Sequence, residues 1–257
     1  MPTLKNGEDM PKPSLLPTII NCFLRTYLIG AAFNNRGMQN IGLAFAIQPW
    51  LNFLYPDPIM SRAAAKRYLR HYQCHMLFTP AFVGLCMSME VLIAKGKLPA
   101  NVLEEVKSTA SYSFSALGDS LYCSGIAILW SLVTCSLVIM HLYMAAIIWT
   151  AVCFIMLQLF KVITYGMALK AGIKFTQTLK RWNLINAVSW FKIINSALVP
   201  LLAALSLTNF DNSPGWEVYI VAMSVLTLTA WIIWRTQFAR GLLITLVILL
   251  FWLKILI

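Results

Sequence analysis

Asn34, Gln39 and Asn40 lie within Asn34-Asn35-Arg36-Gly37-Met38-Gln39-Asn40-Ile41-Gly42, a polar stretch between apolar runs that leads through Ala44 to Pro49 and Tyr55. Carboxamides donate and accept hydrogen bonds without carrying charge, which suits a neutral polyol such as a sugar. Glycine lets a second backbone or a ligand come close. The stretch, with Met38 among its amides, is therefore a candidate wall of a substrate path. The same amides would equally bridge helices in an assembly, at ~0.6 kcal/mol per interaction.

His71, Cys74 and His75 are spaced as i, i+3 and i+4, one face of a helix. That spacing suits a metal, yet no further ligand pair accompanies it and the remaining histidine is the distant His141. No metal is assigned, and His75 is read as part of a polar helix face near the path. Glu90 stands among Met87, Met89, Val91 and Leu92. An ionisable group in such surroundings marks a functional position by default; a surface salt bridge with Lys95 or Lys97 is the plain alternative. Asp119, after Gly118, either caps a helix by accepting backbone N–H groups or accepts hydroxyl protons from a ligand.

The candidate path residues are thus Asn34, Met38, Gln39, His75, Glu90 and Asp119. No nucleotide-binding loop, catalytic triad or nucleophile elbow is present. No catalytic residue and no cofactor is assigned: the chain would handle a substrate on which another protein acts.

The elements that position these residues are apolar. Of 257 residues 60% are hydrophobic and 11% charged, where soluble domains carry about a quarter. The reading is an all-α integral membrane protein, one domain over 1–257. Amphipathic and re-entrant helices fill a cytoplasm-facing half (1–125), and several transmembrane helices fill the rest (126–257). The formal charge of +11 is assigned to inner loops, not to nucleic acid, because no basic patch interleaves with exposed aromatics. Six cysteines without a C-x-x-C pair, most of them within apolar runs, suggest neither a disulfide framework nor a zinc site, since buried free thiols behave as small hydrophobes. The first fourteen residues lack a signal-peptide core, so the N-terminus is expected in the cytoplasm.

In chain order, Ile19 to Ala32 is expected as an interfacial amphipathic helix with Arg25 toward headgroups. A second helix runs through the amide stretch to Gln48, where Pro49 ends or kinks it. Ser61 caps a helix from Arg62 to about Phe78. Residues 81–94 are apolar, 95–99 form a charged turn, and 101–107 a short polar helix. Ser108 to Ser124, rich in hydroxyls, is expected to be re-entrant. The uncharged run 126–160 is one long tilted helix or two segments broken near His141. Residues 161–192 carry six cations and no acid, which predicts a cytoplasmic loop. Spans are expected over 193–207, 218–234 and 242–257, with an outward loop at 209–217.

These motifs resemble the enzyme IID component of the mannose/fructose/sorbose family of bacterial sugar phosphotransferase systems. That family reads N-Y-E-R-M-Q-x-x-G-F; Asn34, Met38, Gln39, Gly42, Pro49 and Leu54-Tyr55 match, while Asn35-Arg36-Gly37 replaces Y-E-R. Its K-R-H-L-E-F-F-N-T-H-P looks like residues 66–76, retaining Lys66, Arg67, Leu69 and His75. Gly84 and Glu90 correspond to its later glycine and one of its paired acids, and Gly118-Asp119-Ser120 to the end of its G-I-G-D-S. The similarity covers roughly residues 20–175.

The resemblance implies a multi-pass subunit of the bacterial inner membrane in an oligomeric assembly. It would pair with a IIC subunit to form the path for phosphorylation-coupled uptake of a hexose-type sugar. The phosphoryl group would come through the IIA and IIB proteins, and this subunit would have no cofactor. The alternative is a non-transporting regulatory or scaffold membrane protein derived from the same family.

Overall fold

The computed structural model describes residues 14–208 together with Ile220 and Ser224. The described residues are nearly all helical: α1 (Leu15–Arg25) runs on as a 3-10 helix (Thr26–Ala32), followed by α2 (Asn40–Leu54) and α3 (Pro58–Lys66). Then come α4 (Thr79–Ala94) and α5 (Ala100–Gly118), continued by a π-helix (Asp119–Ile126) into α6 (Ala127–Ile139). The last elements are α7 (Tyr143–Ala171), α8 (Lys174–Arg181) and α9 (Leu184–Thr208). Among the described residues, four helical stretches are long and apolar enough to cross a bilayer: Leu15–Ala32, Ala100–Ile139, Tyr143–Ala171 and Lys174–Leu202. The chain is an all-α integral membrane protein.

Its contacts divide it into two compact units. Among the described residues, the first holds 14–130 and 148–192 and the second holds 131–147 and those from Ile193 on. The first unit is built around α4, whose residues are apolar on every face, so that Phe82, Val83 and Met87 are fully buried. Small residues set its spacing. A Cβ on Gly84 would stand 2.7 Å from the Tyr165 carbonyl of α7, so only glycine permits that approach. Phe78, Phe82 and Phe175 pack around Phe114 of α5. In the second unit Met140, Leu142, Met144 and Ile193 are exposed, as lipid-facing side chains are.

Several elements depart from the sequence expectation, each for a physical reason. The amide stretch is not helical: residues 34–39 form a tight loop, and α2 begins at Asn40. Pro49 neither ends nor breaks α2. A proline at 49 cannot donate to the Phe45 carbonyl, and the Arg25 guanidinium donates to it instead at 3.1 Å while lying 4.3 Å above the Phe45 ring. Arg25 therefore turns toward α2. Replacing Arg25 by methionine is expected to leave that carbonyl without its charged donor and to lower stability by about 1.5–3 kcal/mol, measurable by unfolding in detergent. Arg25→Lys is expected to recover part of the loss.

The helix expected from Arg62 to Phe78 is cut short: α3 stops at Lys66 and a single 3-10 turn, Arg67–Leu69, ends the helical backbone. Asp57, not Ser61, caps α3 by accepting the Ile59 N–H at 2.9 Å, with Pro58 at the first helical position. Ser61 instead donates to Asn52 Oδ1 at 2.7 Å. Residues 70–76 are not helical, so His71, Cys74 and His75 do not share a helix face. Ser108–Ser124 forms no separate piece but lies in one continuous rod. Ser111 and Ser113 bond back within that rod, Ser111 donating to Ser108 O and Ser113 to Thr109 O, both at 2.9 Å.

The break near His141 is present, with His141 in the left-handed region at φ 59°. The basic segment 161–192 is not a loop; it comprises the end of α7, all of α8 and the start of α9, turning at Gly172 and Asn183. Residues 193–207 lie in α9, which continues through Pro200. The calls on 209–217, 218–234 and 242–257 fall outside the described residues, Ile220 and Ser224 apart.

Candidate functional site

The loop before α2 is closed by its own amide. The Asn34 carbonyl and N–H exchange two 2.9 Å hydrogen bonds with Met38, which the left-handed φ of 58° at Met38 permits. Asn34 Oδ1 accepts from the N–H groups of Arg36 and Gly37 at 3.1 and 2.8 Å, and its Nδ2 donates to Asn40 Oδ1 at 2.8 Å.

The loop then grips the chain after α3, residues 69–74, at three points. Asn40 Nδ2 donates to the Leu69 carbonyl. Gly37 O accepts from Tyr72 N–H at 3.2 Å, and Gln39 N–H donates to Tyr72 O at 2.9 Å. Gln39 Oε1 accepts from Cys74 N–H at 3.2 Å. A segment with no helical ladder of its own has its backbone groups satisfied in this way.

That grip fixes His75. Its carbonyl starts α4 by accepting from Phe78 and Thr79 N–H at 3.0 and 3.1 Å. Its ring is half-buried against the π-helix, 5.4 Å from the Tyr122 ring. A Cβ on Gly118 would fall 2.3 Å from His75 Cβ, so the rod comes this close only through glycine. The π-helical turn then presents Asp119, Tyr122 and Cys123 to the imidazole: His75 Nε2 is 3.7 Å from Cys123 Sγ. One donor atom each from His75, Asp119 and Cys123 lie within 4.8 Å of one another.

A histidine, a carboxylate and a thiol at such spacing suggest a metal, since two ligands of tetrahedral zinc stand roughly 3.6 Å apart. The second ring nitrogen decides against it. Leu77 N–H donates to His75 Nδ1 at 3.1 Å, so the proton of the neutral ring sits on Nε2. A ligating nitrogen needs the reverse: a free lone pair at Nε2 and a proton at Nδ1. As positioned, His75 offers an N–H beside a carboxylate and a thiol. That is a neutral donor and an anionic acceptor side by side, able to hydrogen-bond a polyhydroxyl compound.

Burial holds the His75 pKa below its ordinary 6.5, opposed by Asp119 and reinforced by Lys161. Protonating Nδ1 would also break the bond from Leu77. The stability His75 contributes is therefore complete above pH 6.5 and is lost as pH falls through the lower folded-state value. His75→Asn, which keeps an acceptor for Leu77, is expected to remove this acid-side loss. His75→Leu should leave the buried Leu77 N–H unpaired and cost about 1–3 kcal/mol at neutral pH. Unfolding in detergent at pH 5 and pH 7.5 checks both.

Glu90 belongs to a different cluster, completely buried in α4. Arg67 forks onto it, with Nη2 at 2.9 and 2.8 Å from the two carboxylate oxygens. Tyr55 and Tyr68 hydroxyls donate to it at 2.9 and 2.8 Å. The salt-bridge partner is Arg67, not Lys95 or Lys97, because the 3-10 turn Arg67–Leu69 that continues α3 brings its guanidinium onto Glu90 of α4. Burial first, then the Glu90 charge among other neighbours, pushes both tyrosine pKa values up, so both hydroxyls stay protonated as donors. Arg67 Nε adds a fourth donor at 3.3 Å, and the saturated carboxylate ties the residues just after α2 and α3 to α4.

The fold thus brings His75 and Asp119 together, places Gln39 one residue away through Cys74, and uses Asn34 and Met38 to close the supporting loop. Tyr122 and Cys123 were missed by sequence reasoning, although their spacing from Asp119 was visible. Arg67, Tyr55 and Tyr68 were missed as partners of Glu90.

A family model described as the PTS system mannose/fructose/sorbose family IID component matches residues 17–208. A solved chain described as "Structure of membrane protein" is 15% identical with a TM-score of 0.65, covering 93% of this chain and 95% of its own. At that identity the likeness shows the fold alone. A second, from the mannose transporter ManYZ in complex with microcin E492, is 16% identical with a TM-score of 0.49, covering 95% and 97%. No curated relative matches.

Proposed function

The chain belongs to the mannose/fructose/sorbose family of phosphotransferase-system IID components, and from that premise we propose that it forms, with a IIC subunit, the path for phosphorylation-coupled sugar uptake. The observation that carries this reading is the family match across residues 17–208. The chain sits in the bacterial inner membrane as one IID-like domain with its N-terminus in the cytoplasm.

The sugar is a hexose. His75 Nε2–H and the Asp119 carboxylate supply a donor and an acceptor on the path, supported by their proximity. Asn34, Met38 and Gln39 act one step back, holding the segment that carries His75. Glu90 acts through the packing of α4. The subunit performs no catalysis; IIA and IIB relay the phosphoryl group.

The test is hexose uptake in cells lacking other hexose transporters, with the candidate IIC, IIA and IIB co-expressed. Gln39→Ala combined with Asp119→Ala is expected to reduce uptake at least tenfold at unchanged membrane abundance. Uptake that survives the pair would sink the assignment.

One observation favours a second reading, a scaffold that docks phosphotransferase proteins without transport. The amides of Asn34, Gln39 and Asn40 are engaged with the protein itself, and Asn35-Arg36-Gly37 replaces the Tyr-Glu-Arg that the resemblance to the family implies there. Capture of IIA or IIB by the membrane-embedded chain with no hexose flux would select that reading.

A further inference from the structure

A cavity of about 810 Å³ opens between α5 and the corner joining α8 to α9, away from the His75 cluster. Val106, Ala110 and Phe114 line it from α5; Leu179, Leu184 and Ile185 face them. Two charged groups border it, Lys180 and Glu105.

The wall formed by α8 is amphipathic. Phe175 and Leu179 are buried, and Phe175 meets Phe114 edge-on at 6.1 Å between centroids. Lys174, Lys180 and Arg181 are exposed, and Trp182 follows them. A short helix with an apolar inner face, a basic outer face and a terminal tryptophan belongs at the headgroup level of a bilayer. The apolar cavity therefore opens beside the membrane surface, with Lys180 and Glu105 at its rim and two further exposed cations, Lys174 and Arg181, on the same short helix.

We propose that this groove binds one anionic phospholipid. An acyl chain lies along the α5 face and the phosphate meets Lys180, with Lys174 and Arg181 adding to the field. The charge balance selects an anionic over a zwitterionic headgroup, since each cation near the surface is worth about 1 kcal/mol, or roughly fivefold in affinity. The volume suits one acyl chain with its headgroup outside: pockets that bury a single small molecule run from ~300 to 1,000 Å³. A spanning helix ~10 Å across and ~30 Å long does not fit within it. This inference does not depend on sugar transport.

The full chain, purified in mild detergent, is titrated with phosphatidylglycerol and with phosphatidylcholine of identical acyl chains, and bound lipid is counted by native mass spectrometry. Phosphatidylglycerol is expected to bind at least fivefold tighter. Lys180→Gln should lower that preference about fivefold and Glu105→Gln should raise it about fivefold. A merely misfolded protein cannot move the preference in opposite directions. Ser113→Trp, at an exposed position lining the groove, should weaken both lipids. Equal binding of the two lipids overturns the proposal, as does a preference indifferent to Lys180 and Glu105. A photoreactive label at Ser113→Cys that captures a polypeptide in membranes, and no lipid, also overturns it.

Discussion

Arg67→Ala is expected to destabilise the chain by about 3–5 kcal/mol, the largest effect of any single charge removal in the first unit. Glu90 has no exposed surface, and Arg67 is the cation that forks onto both of its oxygens. Removing one member of a buried pair leaves the other charge uncompensated. The two tyrosine donors soften the loss but cannot neutralise the carboxylate. The remedy distinguishes charge from packing. Arg67→Met with Glu90→Leu and Tyr68→Phe removes the pair and the buried hydroxyl together, and is expected to recover most of the loss, because a well-packed apolar replacement of a buried pair is often neutral. SDS-induced unfolding of the protein in detergent measures both. Equal destabilisation by the single and the triple variant would show that the ion pair is not the cause.

Gly42→Ala is expected to be comparably severe, about 3 kcal/mol or more, for a steric reason. A Cβ at 42 would stand 2.2 Å from the Ile29 carbonyl oxygen and 2.6 Å from its Cα. Both are backbone atoms of the 3-10 helix, which cannot move aside as a flexible side chain can. The α2 axis would have to shift away from Ile29, and overpacking of this kind exceeds the usual 1–3 kcal/mol when backbone must yield. Loss of folded material after mild-detergent extraction would register it. Gly30→Ala is the control: no atom lies within 4 Å of the added methyl, so stability should change by a fraction of a kcal/mol. If Gly42→Ala behaves like Gly30→Ala, the tight approach of α2 to the 3-10 helix is wrong.

These two variants mark where sequence reasoning succeeded and where it stopped. Gly42 was singled out because glycine permits close approach, and the structure supplies the neighbour, Ile29. Glu90 was singled out as a lone acid among apolar residues, yet its partner lies 23 positions away, past a turn the sequence reading had placed inside a helix. Helical spacing brought His71, Cys74 and His75 onto one face on paper. Their backbone is held by hydrogen bonds from residues 37–40, and a cross-chain clamp leaves no periodic signature.

The sequence by itself determined the solvent and the element type. An apolar composition with few charges can satisfy its backbone in a bilayer only through helices or a closed barrel. The order of the Asn34-Gln39, His75, Gly84-Glu90 and Gly118-Asp119 motifs pointed to the family. Tertiary structure alone decided what the polar residues do. It turned the amides into a clamp and closed four donors onto Glu90. It also carried a π-helical turn past Gly118, so that Asp119, Tyr122 and Cys123 meet the imidazole of His75. The physical reason is distance along the chain. Local spacing fixes neighbours three or four residues apart, whereas the partner of a buried charge and the tautomer of a histidine depend on groups that only packing brings within hydrogen-bond reach.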